Sequence, residues 1–183
     1  MDNFENPLSD TLDIFYSWGI PRGKQTKKAQ KNSIKFIKEE LKELQEAVDA
    51  KDRVAMLDAC ADILVITLDF AYRNELPIEE GLAMVNLSNS TKTLIGDELD
   101  NCQDSLDALA QKGYEGLRVV RADYTGFEDA LDTGSIIDKD NKVRKPLKFV
   151  EPSLSLLIGE DKGERKQALD ELTQLSQDNG DCE

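Results

Sequence analysis

Two short stretches, Glu39-Glu40-Leu41-Lys42-Glu43-Leu44 and Leu57-Asp58-Ala59-Cys60-Ala61-Asp62-Ile63-Leu64, decide how this chain folds and what chemistry it can support. Around the first, Ile34, Ile37, Leu41, Leu44 and Val48 recur at spacings of three and four, which predicts an amphipathic helix over 32–50. Around the second, residues 53–73 are almost wholly apolar and predict a second, central helix. The link over 49–52 is short, which favours antiparallel packing of the two.

On a helical wheel, Ile37, Leu41, Leu44 and Val48 fall within about 60° of one another and mark the expected core stripe. Glu39 and Glu46 lie opposite it, in solvent. Glu40 and Glu43 lie about 60–120° to one side, on a stripe shared with Phe36 and Ala47. On the next helix, Asp58, Asp62 and Asp69 fall within about 40° of one another. Aspartate is poor in a helix interior because its short side chain competes with the backbone. Three on one face of an apolar helix need a reason. If the two helices pack antiparallel, the Glu40/Glu43 stripe can face the Asp58/Asp62 stripe. Carboxylates at the margin of a core are costly unless something positive neutralises them. Lysines would serve, and so would a hard, oxygen-seeking ion such as Mg²⁺ or Mn²⁺. The plainer reading is that these acids cap, pair or face water.

Composition narrows the chemistry. The 183 residues carry 23 Lys+Arg against 37 Asp+Glu, a formal charge of -14, and no histidine. That charge repels a phosphate backbone, so no nucleic-acid partner is expected. Without histidine there is no Ser-His-Asp triad, no Cys-His dyad and no imidazole zinc site. Cys60, Cys102 and Cys182 lack CxxC spacing and read as reduced thiols, which suits a cytoplasmic protein. No signal peptide is visible in MDNFENPLSD. The longest apolar run, Ile63 to Leu68, is too short for a membrane span.

The remaining segments are less regular. Residues 12–18 form a short amphipathic stretch closed by Gly19-Ile20-Pro21-Arg22-Gly23. Lys24, Lys27, Lys28 and Lys31 form a basic cluster before the first long helix. Residues 78–92 predict a third helix and 97–112 a further one. Leu117 to Arg121 reads as a strand, and Ser135 to Val143 as a hairpin about a turn at 138–141. Pro146 and Pro152 bracket an extended segment. The expected organisation is a helical core over 1–92, a helix-plus-hairpin extension over 93–158 and an acidic polar tail over 159–183.

The ordered acidic series resembles the MazG-like all-α nucleoside triphosphate pyrophosphohydrolases, whose signature is EExxE followed by two acids one helical turn apart. Phe15-Tyr-Ser-Trp-Gly-Ile-Pro21, Ser88-Asn-Ser-Thr-Lys92 and Asp140-Asn-Lys-Val-Arg-Lys145 with Phe149-Val-Glu-Pro152 extend the likeness to phage-type, MazZ-like members. The chain departs at the second helix, where the first acid stands four residues before Asp62, at Asp58, instead of three.

The resemblance implies an all-α antiparallel helix bundle with a small C-terminal α/β-hairpin extension. It implies Mg²⁺, with Mn²⁺ as an alternative, held by Glu40, Glu43, Asp58 and Asp62. Glu39 or Glu40 would take a proton from the attacking water, giving a nucleoside monophosphate and pyrophosphate. Asn89 and Lys92, then Lys142, Lys145 and Lys31, are candidate phosphate or sugar contacts. Asp69 would orient a lysine or the sugar, and Trp18 and Phe36, with Phe15, would wall a base pocket. Purine deoxynucleotides such as dGTP and dATP are the implied substrates. The chain would be a homodimer or homotetramer in the cytoplasm, the host's if phage-encoded. The alternatives are a dUTPase or phosphoribosyl-ATP pyrophosphohydrolase of the same fold, or a non-catalytic acidic helical binding module.

Overall fold

The structure, a computed structural model, describes residues 6–23, 25–122 and 132–158. Lys24, Cys182 and the expected tail over 159–183 lie outside the described residues. Helices take up 60% of the described residues and one small sheet completes the secondary structure. The chain divides into two compact units, Met1–Gly81 and Leu82–Glu183.

In the first unit, α1 spans Pro7–Ser17, α2 Lys27–Ala50 and α3 Arg53–Arg73. Each start is chemically marked. The Asn6 side chain accepts from the Ser9 N–H, the Thr26 hydroxyl from Ala29 N–H at 3.1 Å, and the Asp52 carboxylate from the N–H groups of Val54 and Ala55 at 3.0 and 3.1 Å. Only Lys51 and Asp52 separate α2 from α3. Lys51 adopts a left-handed conformation (φ 57°, ψ 29°), so the chain reverses within two residues and the two helices pack as a hairpin. At the other end, α1 packs on α3: Phe15 is buried against the edge of the Tyr72 ring, 5.8 Å between centroids. The Gln30 amide donates to Asn74 Oδ1 at 2.7 Å, tying the start of α2 to the end of α3.

α4, Ile78–Ser90, leads into the second unit. There β1 (Leu94–Ile95), β3 (Thr133–Ile137) and β2 (Arg118–Arg121) form an antiparallel sheet in the order β1-β3-β2. Two short helices, α5 (Asp97–Asp100) and α6 (Gln103–Gln111), place Leu99, Cys102 and Leu109 around Leu94 and the fully buried Ile136. Gly134 is required where β3 passes between its neighbours, since a Cβ there would stand 2.5 Å from the Val120 carbonyl oxygen and 2.7 Å from Leu99 Cδ2. A final turn of helix, α7, spans Ser155–Ile158.

Several expectations change. α2 begins at Lys27, five residues earlier than the apolar periodicity indicates, so Lys27, Lys28 and Lys31 belong to the helix. The expected helix over 97–112 is two pieces, because the Asn101 side chain donates to the Asp97 carbonyl at 2.9 Å and competes with the backbone. The expected hairpin over 135–143 is reduced to one isolated bridge, Ile137 to Val143, and β3 pairs instead with β1 and β2.

The core stripe of α2 also moves. Its covered positions are Ala29, Gln30, Ser33, Ile37, Glu40, Leu44 and Ala47, while Leu41 and Val48 are half exposed. The seam is therefore rotated by about 40° from the apolar stripe, and Glu40 lies within it.

Candidate functional site

The turn at 51–52 sets the register in which α2 and α3 face each other and brings Glu40 and Glu43 toward Asp58 and Asp62. Glu40 is half-buried, and its Oε2 is fully covered with no hydrogen-bond partner. Burial pushes the Glu40 carboxyl above the usual carboxylate range, and the charges of Glu43, Asp62, Asp58 and Glu39 push it further the same way. Glu43, Asp58 and Asp62 thus join Glu40 in a set of four acids about one buried oxygen. Glu43, Asp58 and Asp62 are exposed, and among the described residues none of the four forms an ion pair. Glu39, by contrast, pairs with Lys35 at 3.0 Å on the outer face of α2.

The acids are not drawn together to ligation distance: among the described residues, no three Cys, Asp or Glu side chains are grouped closely enough to hold an ion. Like charges splay apart when nothing positive lies between them. The donor set still fits a hard cation. It is all oxygen, it includes a buried carboxylate atom without a partner, and Mg²⁺ binds through one or two carboxylates plus waters and phosphate rather than a closed protein cage.

The other candidates fall into three groups. Asp69 is taken up by Arg73, with Nε 2.7 Å from Oδ2 and 2.9 Å from Oδ1, which accounts for its place on α3 without a ligand. Trp18 and Phe36 are exposed, while Phe15, their expected companion, is core. Lys31 is exposed on α2.

In the second unit, Lys92 donates to Asn89 Oδ1 at 2.6 Å and stands 5.4 Å from the Phe149 ring centre. Lys145 covers the same ring at 4.4 Å and pairs with Glu151 at 2.5 Å. Lys142 is exposed, with its backbone N–H donating to Asp138. Asn89, Lys92 and Lys145 therefore form one group about Phe149, held by the Ser88 hydroxyl donating to the Val150 carbonyl and the Val150 N–H donating to the Thr91 hydroxyl.

Sequence reasoning passed over Asp138, buried and bound to Arg144, and a cavity lined by Arg22, Tyr72 and Glu75. The only signals were a turn-forming aspartate and an arginine between two glycines.

Comparison with known proteins bears on the acidic hairpin. Residues 20–89 match the phosphoribosyl-ATP pyrophosphohydrolase family. That family belongs to the MazG-like all-α superfamily. The pyrophosphohydrolase match covers the whole of α2 and α3 and nearly all of α4, and so includes all four acids. No curated protein and no solved structure matches the chain. Among the described residues, no helix is long and apolar enough to cross a membrane.

Proposed function

We propose that this chain is a divalent-metal-dependent pyrophosphohydrolase that cleaves a nucleoside triphosphate, a purine deoxynucleotide by preference, to the monophosphate and pyrophosphate. The observation that carries the reading is the buried, partnerless Oε2 of Glu40 among Glu43, Asp58 and Asp62, inside a segment matching a pyrophosphohydrolase family. Glu40, Glu43, Asp58 and Asp62 would hold Mg²⁺. Bound there, the ion offsets phosphate charge and lowers the pKa of a coordinated water.

The chain's own residues supply the rest. Of the two expected proton acceptors, Glu39 pairs with Lys35 on the outer face of α2 and Glu40 lies in the seam, so Glu40 would take a proton from the attacking water. The exposed Leu41, Val48, Val54, Leu57 and Leu64 on α2 and α3 support assembly of two or more copies. The matched family's own name favours phosphoribosyl-ATP as the second reading of the substrate.

The test is pyrophosphate release from a panel of nucleoside triphosphates, dUTP and phosphoribosyl-ATP, each with Mg²⁺. Release from one of them, lost in Glu43→Gln and Asp62→Asn, supports hydrolysis and names the substrate. Release from none supports the non-catalytic acidic module.

A further inference from the structure

The first unit contains a cavity of about 390 Å³ at the end of the α2–α3 hairpin away from the turn. Its wall carries Tyr72, Arg22, Asp13, Glu75, Glu79 and Glu80, over an apolar floor that includes Leu12 and Ile78. The volume falls within the range of small-molecule sites. Tyr72 is only 7% exposed, and among the described residues its hydroxyl has no hydrogen-bond partner. The Arg22 guanidinium lies 4.7 Å from the Tyr72 ring centre. Arg22 makes no ion pair with any of the four wall carboxylates among the described residues, although all five charges line one cavity.

The loop that carries Arg22 is held in place. The Gly23 N–H donates to the Arg73 carbonyl at 2.9 Å, and the Glu75 carboxylate lies so close that a Cβ on Gly23 would stand 2.9 Å from its Oε2. The loop backbone is thus tethered to the end of α3, and the wall offers both donors and acceptors.

Four carboxylates against one guanidinium repel a phosphate. They suit a neutral planar group with N–H donors on one edge and acceptors on another. A guanidinium pairs with adjacent ring N and O acceptors, and a carboxylate accepts from amino and ring N–H groups. We propose that this cavity binds a nucleobase, with Arg22 and the Tyr72 hydroxyl reading its acceptor edge and Glu75 its donor edge.

The identity of the ligand rests on the nucleotide-hydrolase reading above. Tyr72 lies ten residues beyond Asp62, about 15 Å along α3, so an extended nucleotide would place its base here and its phosphates at the acids.

Calorimetric titration of the full chain with deoxyguanosine, which has no phosphate, tests the cavity apart from hydrolysis. Saturable binding is expected, weakened about tenfold or more in Arg22→Ala and in Glu75→Gln and retained in Glu43→Gln. Tyr72→Phe keeps the ring and is expected to weaken binding by a smaller factor. Binding of deoxyguanosine without hydrolysis of any nucleotide would leave the cavity proposal standing and remove the hydrolase reading. Hydrolysis without binding of any of the four deoxynucleosides would overturn the cavity proposal. Binding that is unchanged in both Arg22→Ala and Glu75→Gln would overturn it as well.

Discussion

Arg144 bonds the buried carboxylate of Asp138 through Nε and Nη2 while its guanidinium lies 4.0 Å from the ring centre of Tyr114. The other carboxylate oxygen accepts the N–H groups of Asp140 and Lys142, at 2.9 and 3.0 Å. One 2%-exposed side chain thereby organises the whole turn between β3 and Arg144.

This knot should be visible as acid sensitivity. Burial pushes the Asp138 carboxyl up, but the Lys142 N–H, the Arg144 guanidinium and the Asp140 N–H outweigh it and hold it below the usual range. A carboxylate depressed in the folded state contributes stability that is complete above its unfolded pKa and is lost as pH falls through the folded one. Asp138→Asn should melt several degrees lower than the native chain at pH 7, and the difference should shrink below pH 4. Thermal melts across pH 7 to 3 measure both.

Gly134→Ala should destabilise the second unit by about 1–3 kcal/mol through overpacking. The new methyl would meet a backbone oxygen and Leu99, neither of which can swing away. Ile136→Ala, at the fully buried centre of the same sheet, should cost about 2–5 kcal/mol. Val120→Ala, 40% exposed on β2, should stay within about 0.5 kcal/mol of neutral and serves as the control. Urea unfolding separates the three.

Glu43→Gln and Asp62→Asn should reduce pyrophosphate release by about 100-fold or more without unfolding the chain, since both side chains are exposed. Mg²⁺ should raise the melting temperature of the native protein, an ion at a hundred times its Kd contributing about 2.7 kcal/mol. That rise should be smaller in either variant.

Asp52→Ala removes the side chain that caps α3 and should cost about 0.5–2 kcal/mol. Circular dichroism melts would show it. Activity at low temperature should be unaffected while the hairpin remains folded.

Much of the hairpin was legible because its signals are local. Residues 53–73 are apolar enough that both ends of α3 follow from the composition change and the Asp52 cap. The early start of α2 was not legible from periodicity, since Lys27 to Lys31 are good helix formers with no apolar side chain among them but Ala29. The wheel placed Glu40 at the margin of the core, and the structure puts it in the seam. Hydrophobicity alone cannot show that Leu41 and Val48 are half exposed in a single chain. The sheet was the hardest part, because β1 pairs with β3 across some forty residues and only tertiary packing selects that partner. Asp69 could have been read sooner, since Arg73 stands four residues on, the spacing at which helical side chains meet.

The two-residue reversal at Lys51 and Asp52 also bears on how the molecule assembles. Glu40 and Asp62 are only twenty-two residues apart, so their approach needs only a short loop closure and no distant strand or helix. Contacts of short sequence separation favour fast folding, and the acidic seam forms as the hairpin closes. Mutual repulsion of its carboxylates opposes that step. A divalent cation present during refolding should therefore quicken that step in addition to stabilising its product.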